Sequence, residues 1–290
     1  MKKLVWAVGT VVALALCVLV LLGFAGRVHP LGDTISLLRL PLGVICLATG
    51  VLPWSRGGRI ALLGAGVAGI VTTVPALLHQ PIPGDFTLYS KNLLYSNSDR
   101  AALVQDIRAS DADVLTLQEV GRRNDVFLTM LLPDYPHQHL CRFAGWSGVA
   151  VLSKRPFVSP PQCSALTGVA AAQVDHDGRR VWVASVHLPW PYPYLQDQSA
   201  RAAVQLLERL DGAVVVAGDF NSFPWSSSVR AISMAARARS AGPLRPTFDL
   251  GGVPLFLDHV YAPGGGQVTY RRLLGSDHLG VLARVHVTPR

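Results

Sequence analysis

Four short apolar runs each end on a residue able to do chemistry. Phe86-Thr87-Leu88-Tyr89 leads to Asn92, Val114 to Gln118 leads to Glu119, Val181 to Val186 leads to His187, and Val214 to Gly218 leads to Asp219. Asn221, Asp258, Asp277 and His278 follow, adding an amide, two carboxylates and an imidazole. Carboxylates and amides offer hard oxygen ligands to a divalent cation, a carboxylate can take a proton from water, and imidazoles can donate to developing negative charge. Strand-length runs that end this way place such residues together at one rim of a sheet. Taken singly, each has a plainer use. A Glu after an apolar strand is commonly a solvated strand end, Asp219 and Asn221 are turn formers, and a lone histidine is often a satisfied core residue. His259, beside Asp258, is read as structural.

The elements that would position these residues alternate. Asp99 to Ala109 carries Leu103, Val104 and Ile107 on one helical face after a cap at Ser98 or Asp99, and Ser199 to Leu210 carries Ala203, Leu206, Leu207 and Leu210 at similar spacing. Asp175-His176-Asp177-Gly178 reads as a hairpin turn between two strands. Hairpins interrupting a strand–helix alternation predict mixed rather than purely parallel pairing, and two packed sheets with helices outside fit the pattern.

The chain's 290 residues are 50% hydrophobic and 15% charged, with a mean hydropathy of +0.35, too apolar for an ordinary soluble domain. The excess sits in residues 1–80, and residues 85–290 have the make-up of one globular domain, so the boundary is expected near Pro81-Ile82-Pro83-Gly84. About three membrane spans are expected, over residues 4–24, 35–54 and 60–78. The first is read as an anchor rather than a cleaved signal, because Ala25-Gly26 matches a cleavage site poorly. The third is rich in the Gly and Ala that let membrane helices pack closely. The second is interrupted by Arg39 and Pro41; it spans if Arg39 snorkels to the headgroups and is otherwise re-entrant. Three spans put Lys2, Lys3 and the Arg56/Arg59 loop in the cytoplasm and the domain outside, and two would leave the domain inside; charge placement favours three. Of the net +8, the first 84 residues carry +5, leaving +3 on the domain. So small a surplus permits an anionic substrate without demanding one. Cys141 and Cys163 are the only cysteines of the domain, and would be either one disulfide or two buried thiols.

Seven ordered segments together resemble the endonuclease/exonuclease/phosphatase superfamily, which includes deoxyribonuclease I, exonuclease III-type repair enzymes, neutral sphingomyelinases and inositol phosphatases. They are Lys91-Asn92-Leu93-Leu94-Tyr95, Leu117-Gln118-Glu119-Val120, Gly148 to Lys154, Ser185-Val186-His187-Leu188, Gly218-Asp219-Phe220-Asn221, Leu257-Asp258-His259-Val260 and Gly275-Ser276-Asp277-His278. The resemblance implies a four-layer α/β sandwich of two packed mixed sheets flanked by helices, and hydrolysis of a phosphate ester with Mg²⁺ or Mn²⁺. It implies that Glu119 and Asn92 hold the metal with Asp277 close by, and that Asp219 and Asn221 orient or deprotonate water. His278, oriented by Asp258, and His187 would bind the phosphoryl oxygens. Where repair nucleases of the family carry a further acidic metal ligand, two residues after the Asn, this chain has Leu94. That departure separates it from abasic-site repair and from a second-metal scheme.

The chemistry independently asks for this set. A phosphodiester repels nucleophiles, so its hydrolysis needs a hard cation, a carboxylate near water and donors for the transition-state charge. Phosphodiester hydrolysis outside the cytoplasm is therefore expected, with nucleic acid slightly ahead of lipid. Arg122, Arg123, Arg142, Arg179 and Arg180 would serve nucleic acid, or simply form a solvated surface. Trp190, Tyr192 and Tyr194, interleaved with Pro189, Pro191 and Pro193, would form an interfacial lip for a phospholipid or sphingolipid head-group hydrolase, or a stiff loop wall. A small-molecule phosphatase and an inactive membrane-tethered binding domain are the remaining readings. Expected partners are the lipid bilayer and a phosphate ester, with no organic cofactor.

Overall fold

The computed structural model describes residues 2–52, 54–78, 82–145, 147–166 and 168–288, with side chains from Trp6 onward. The expected boundary at Pro81 therefore lies partly outside the described residues.

The apolar N-terminal region forms α1 (Lys2–Leu22), a short 3-10 turn, α2 (Leu31–Ser36), α3 (Arg39–Gly50), α4 (Arg56–Val71) and α5 (Val74–Leu77). α1, α3 and α4 run up, down and up. At one end Trp6 meets Trp54 edge-on, with ring centroids 6.0 Å apart, and at the other α4 passes the start of α3. There a Cβ on Gly69 would stand 3.0 Å from Gly43 Cα, so only glycine permits the approach. Val20, Leu42, Cys46 and Leu62 fill the centre, while Val11, Leu14, Leu21, Ile60, Val67 and Val71 face outward. Arg56–Leu77 is long and apolar enough to cross a membrane, and Trp6–Leu22 and Arg39–Gly50 are shorter apolar helices.

The stretch 35–54 differs from expectation. It is not one helix but breaks between Ser36 and Arg39, with Pro41 tolerated in the first turn of α3. Arg39 does not snorkel. It is 3% exposed and donates to the carbonyls of Gly23 and Trp225, because carbonyls left free beyond a helix end and in a loop are better partners for a buried guanidinium than none.

The remainder is built on β1 (Phe86–Asn92), β2 (Val114–Gln118), β3 (His137–Arg142), β4 (Gly148–Ser153), β5 (Gln162–Cys163), β6 (Val169–His176), β7 (Arg179–His187), β8 (Ala213–Asp219), β9 (Arg239–Gly242), β12 (Asp258–Ala262), β13 (Gly266–Arg271) and β14 (Gly280–Val285), with β10 (Phe248–Leu250) and β11 (Val253–Leu255) as a separate hairpin. Hydrogen bonds join the twelve into one mixed sheet, ordered β3-β4-β2-β1-β14-β13-β9-β12-β8-β7-β6-β5. This differs from the two packed sheets expected from the sequence. Here β9 joins the two halves, pairing with β13 on one side and β12 on the other. The halves nonetheless pack on each other: Phe86, Leu88, Val114 and Val151 of one share a dry core with Ala172, Val183, Val215 and Val260 of the other.

Helices cover the outer surfaces. α6 (Arg100–Ser110) and α7 (Asp125–Leu131) bury Leu103, Ile107, Phe127 and Leu131 against Leu115, Leu117 and Leu152. α8 (Gln196–Leu207) and α9 (Ser227–Ala235) bury Ala203, Leu206, Val229 and Ile232 against Val214, Val216 and Ala184. α8 starts three residues before the predicted helix, and α6 follows Asp99 without a side-chain cap from it. The hairpin turn falls at Asp177-Gly178, both at positive φ, as a two-residue turn of the twist-matching kind requires.

The helical region is tied to the sheet. Asp33 accepts from the N–H groups of Ser227 and Ser228, at 2.7 and 2.9 Å, and from the Ser228 hydroxyl, satisfying the free donors that open α9. Trp225 Nε1 donates to the Ser36 carbonyl at 2.8 Å, and the Thr34 hydroxyl donates to the Tyr192 carbonyl at 2.8 Å. Leu37 and Leu77 pack against Phe223, Trp225, Leu255 and Leu257.

Candidate active site

Strand register brings the chemistry together. Asp219 is paired with His187 across the parallel β7–β8 ladder and with Asp258 across the antiparallel β8–β12 ladder, so all three stand in one row at the rim. In the other half, Asn92 pairs with Gln118, which puts Glu119 one residue beyond that rim. Gly218 is obligatory, because a Cβ there would overlap the Val186 carbonyl and spread β7 from β8. Glu119 and Asn221 both hold positive φ, at 55° and 46°, a left-handed conformation that turns each side chain off the strand end into the cleft.

Asn92 links the two halves. Its amide nitrogen donates to Glu119 Oε1 at 3.2 Å and to Asp219 Oδ2 at 3.0 Å, so those oxygens lie no further apart than two hydrogen bonds end to end. Its carbonyl oxygen accepts from Leu94 N–H, and Glu119 Oε2 accepts from Tyr95 N–H. Asn221 donates its backbone N–H to Asp219 Oδ1 and its amide to Asp219 Oδ2 and the Leu188 carbonyl. Asp219 Oδ2 lies 3.7 Å from both His187 Nε2 and His278 Nε2, and His278 Nδ1 is 2.8 Å from Asp258 Oδ2.

The electrostatics follow from burial and pairing. Burial raises the Asp219 carboxyl to about 6, against the pull of His278 and His187 and with the push of Asp258. Burial opposes charge on His278, but Asp258 and Asp219 outweigh it and lift the imidazole to about 10, so it is an imidazolium at neutral pH. Burial would raise Asp258 as well, yet His278 holds it below the usual carboxylate range. His259, in contrast, is pushed down to about 4 by burial and spends Nε2 on the Ser222 carbonyl, in keeping with a structural role.

All eight predicted residues thus converge. Glu119, His187, Asp219, Asn221, Asp277 and His278 line one cleft of about 710 Å³, and Asn92 and Asp258 are bonded directly behind it. Glu119, Asp219 and the exposed Asp277, whose charge acts on His278 and Lys91, line the same cleft and offer hard oxygens to a divalent cation. Asn92 presents nitrogen to the two carboxylates, and a half-turn of its amide would present oxygen at the cost of the Leu94 bond. Asp219, Asp258 and His278 also cluster closely enough for a metal, but His278 Nδ1 and Asp258 are already committed to each other.

Sequence reasoning missed three supports. Lys91, fully buried, donates to the carbonyls of Leu273, Arg272 and His278 and so holds the loop bearing Asp277; burial presses its ammonium down to about 8. A lysine inside an otherwise apolar strand was the available signal. Ser276 donates to the Asn92 carbonyl and accepts from His278 N–H. Phe248 lies 4.8 Å from the His278 ring, and no local pattern announced it.

The cleft wall is apolar: Phe143, Leu188, Pro189, Trp190, Leu195 and Phe248 line it, with no Lys or Arg lining it among the described residues. Of the five arginines considered for phosphate binding, Arg142 pairs with Asp125 at 2.6 Å. Arg179 and Arg180 sit at the opposite end of β7 from His187, roughly 25 Å away at strand rise. Only Arg122 and Arg123 lie beside the site, in a shallow hollow with Tyr95, Gly121 and Gly145. Cys141 and Cys163 form a disulfide, with Cα atoms 5.7 Å apart, joining β3 to β5.

Known proteins share this framework. A structure described as an endonuclease/exonuclease/phosphatase family protein from Leptotrichia buccalis is 14% identical with a TM-score of 0.56, covering 70% of this chain and 100% of its own. D. rerio TDP2 complexed with single-strand DNA product is 19% identical with a TM-score of 0.53, covering 68% and 97%. A mutant beta toxin from Staphylococcus aureus with bound magnesium ions is 15% identical with a TM-score of 0.52, covering 70% and 100%. At these identities the likeness establishes the fold alone. No curated protein matches the sequence. The sequence profile of the endonuclease/exonuclease/phosphatase family matches residues 88–278, from β1 to His278, and the chain belongs to that family.

Proposed function

We propose that this protein is a membrane-anchored, metal-dependent phosphodiesterase whose substrate carries an apolar group beside the scissile phosphate, as a phospholipid or sphingolipid does. The observation that carries this reading is the contrast inside the cleft, where a floor of carboxylates and imidazoles meets a wall of Leu188, Pro189, Trp190, Leu195 and Phe248 without a cation. A polynucleotide would instead call for cationic contacts along its backbone. Tyr192, Tyr194 and Leu195 are exposed on the same loop, next to the helical region, where an interfacial lip would sit.

In this mechanism Asp219, oriented by both Asn221 contacts, holds the attacking water and takes its proton. His278, kept as an imidazolium by Asp258, and His187 donate to the phosphoryl oxygens. A Mg²⁺ or Mn²⁺ held by Glu119, with Asn92 and Asp277 close by, would supply Lewis-acid stabilisation of phosphoryl charge.

The outward apolar faces of α1, α3 and α4 support a transmembrane anchor in residues 1–80 carrying the family's layered sandwich from residue 85 onward. Lys2, Lys3, Arg56 and Arg59 belong to the end of the helical bundle remote from the sheet, and the domain carries a disulfide; both support an extracytoplasmic catalytic domain. Alkaline phosphatase fused after Arg290 is expected to be active, and an inactive fusion alongside an active cytoplasmic reporter would reverse that placement.

A nuclease is the second reading, favoured by the Tyr95, Arg122 and Arg123 hollow beside Glu119. Two substrates separate them. Trp190→Ala in the full chain is expected to raise KM for a phospholipid in mixed micelles by about 10-fold, the scale of a lost aromatic anchor, while a small soluble phosphodiester is turned over as before. Equal losses on both substrates, or turnover of single-stranded DNA alone with a steep salt dependence, would sink the lipid reading.

A further inference from the structure

A second polar cavity lies away from the catalytic cleft, where the helical region meets α9. It measures about 220 Å³ and is lined by Phe24, Arg27, Arg39, Trp225, Ser227 and Arg230. Three guanidiniums therefore face one small space. Arg39 is 3% exposed, with its plane 4.1 Å over the Phe24 ring, and its outer nitrogens are spent on the Gly23 and Trp225 carbonyls. Its Nε, buried, has no acceptor. Arg27 and Arg230, both exposed, have no ion-pair partner among the described residues. The nearby carboxylate, Asp33, already accepts from Ser227 N–H and from the N–H and hydroxyl of Ser228, so it neutralises at most one of the three cations.

We propose that this cavity binds a phosphate-bearing anion, with the exposed Arg27 and Arg230 donating to its oxygens and the buried Arg39 guanidinium adding its charge from the cavity wall. Guanidinium forks suit tetrahedral oxyanions, and two free forks beside a third, buried guanidinium carry more positive charge than one carboxylate would balance. The site lies just beyond the end of α1, at the sheet-facing end of the helical bundle. If that bundle spans a bilayer, as proposed above, this is headgroup depth, and the phosphate belongs to an anionic lipid; the anion site itself stands on the arginines alone.

The test uses the full chain in neutral detergent with chelator present, so that the catalytic cleft does not turn over. Short-chain phosphatidylglycerol and inorganic phosphate are titrated separately while the thermal midpoint is followed. The expected result is a rise with phosphatidylglycerol that saturates, and an apparent affinity weakened at least ~10-fold in the double variant Arg27→Gln/Arg230→Gln, since each lost charge-assisted bond is a substantial contact. Both substitutions are on exposed side chains, and each single variant provides a check that the fold is kept. Equal protection by inorganic phosphate, lost in the same variant, supports the site with a free anion as occupant. Protection unchanged in the double variant, or none by either probe, overturns it. Failure of the chain to enter vesicles would refute the anchor while leaving these titrations interpretable.

Discussion

The two regions of this molecule bury charge in different ways. In the sheet, Asp219, His278 and Asp258 converge from distant strands onto each other and, with the Asn92 amide, form one network at the rim. In the helical region, buried Asp33 bonds to the other region at the start of α9, and buried Arg39 bridges the two regions from the Gly23 carbonyl to that of Trp225. The first arrangement sets up chemistry; the second fixes where that chemistry sits relative to the helical region. A buried polar group is informative in proportion to what it is paired with.

This contrast can be broken from either side. The largest effect should come from Asp219→Asn, which removes the proton acceptor and is expected to lower kcat by about 10²–10⁴-fold with the circular dichroism spectrum unchanged. Unaltered turnover of every phosphodiester tried would show the rim network to be merely structural. Replacing both Cys141 and Cys163 by Ser should cost about 3 kcal/mol of stability, the scale for a loop of this length, measured by denaturant unfolding of the full chain; the bridge spans a separation of 22 residues, and the loop it closes carries Phe143 of the cleft wall.

Asp258→Asn tests the pairing itself. His278 is lifted to about 10 by Asp258 and Asp219, so the imidazolium persists well above neutrality and is lost only as pH rises through that value. Without the Asp258 charge its pKa falls, and the alkaline loss of kcat/KM should arrive at lower pH, with a drop of about 10–100-fold at its optimum. An alkaline limb that does not move would remove Asp258 from the mechanism. On the acid side, Asp219 must be ionised to accept a proton, so kcat/KM should fall as pH drops through about 6, or lower with a cation bound. The smallest effect belongs to the junction. Asp33→Ala leaves the Ser226 cap of α9 but removes the carboxylate that accepts from Ser227 and Ser228 N–H, and should lower stability by about 1–2 kcal/mol, while turnover of a small soluble phosphodiester stays near that of the unaltered chain.

The same contrast explains what was legible in the sequence. Asn92, Glu119, His187 and Asp219 could be read because each follows a short apolar run of strand length, and Asn221, Asp258, Asp277 and His278 because their segments stand in the order of the family that the chain resembles. The hairpin at Asp177-Gly178 was legible for a similar local reason, since a two-residue turn demands positive φ. Asp33 and Arg39 were not legible, because a charge between apolar segments looks the same whether it faces solvent, headgroups or another domain; only the tertiary contact distinguishes these. The joining of the two half-sheets by β9 was equally hidden, since Arg239–Gly242 is short, polar and without alternation. Phe248 reaches His278 from a three-residue strand, too short for any period to show.

The central claim is that Glu119 and its neighbours hold a divalent cation against a phosphoryl oxygen. The direct measurement is the metal titration of phosphodiester turnover by the full chain after chelation, for the unaltered protein and for Glu119→Gln. The account predicts that activity is abolished by chelator, restored by Mg²⁺ or Mn²⁺, and that the substituted chain needs at least ~10-fold more metal for half-maximal rate. Turnover that survives complete chelation, or a titration curve indifferent to Glu119, would contradict it.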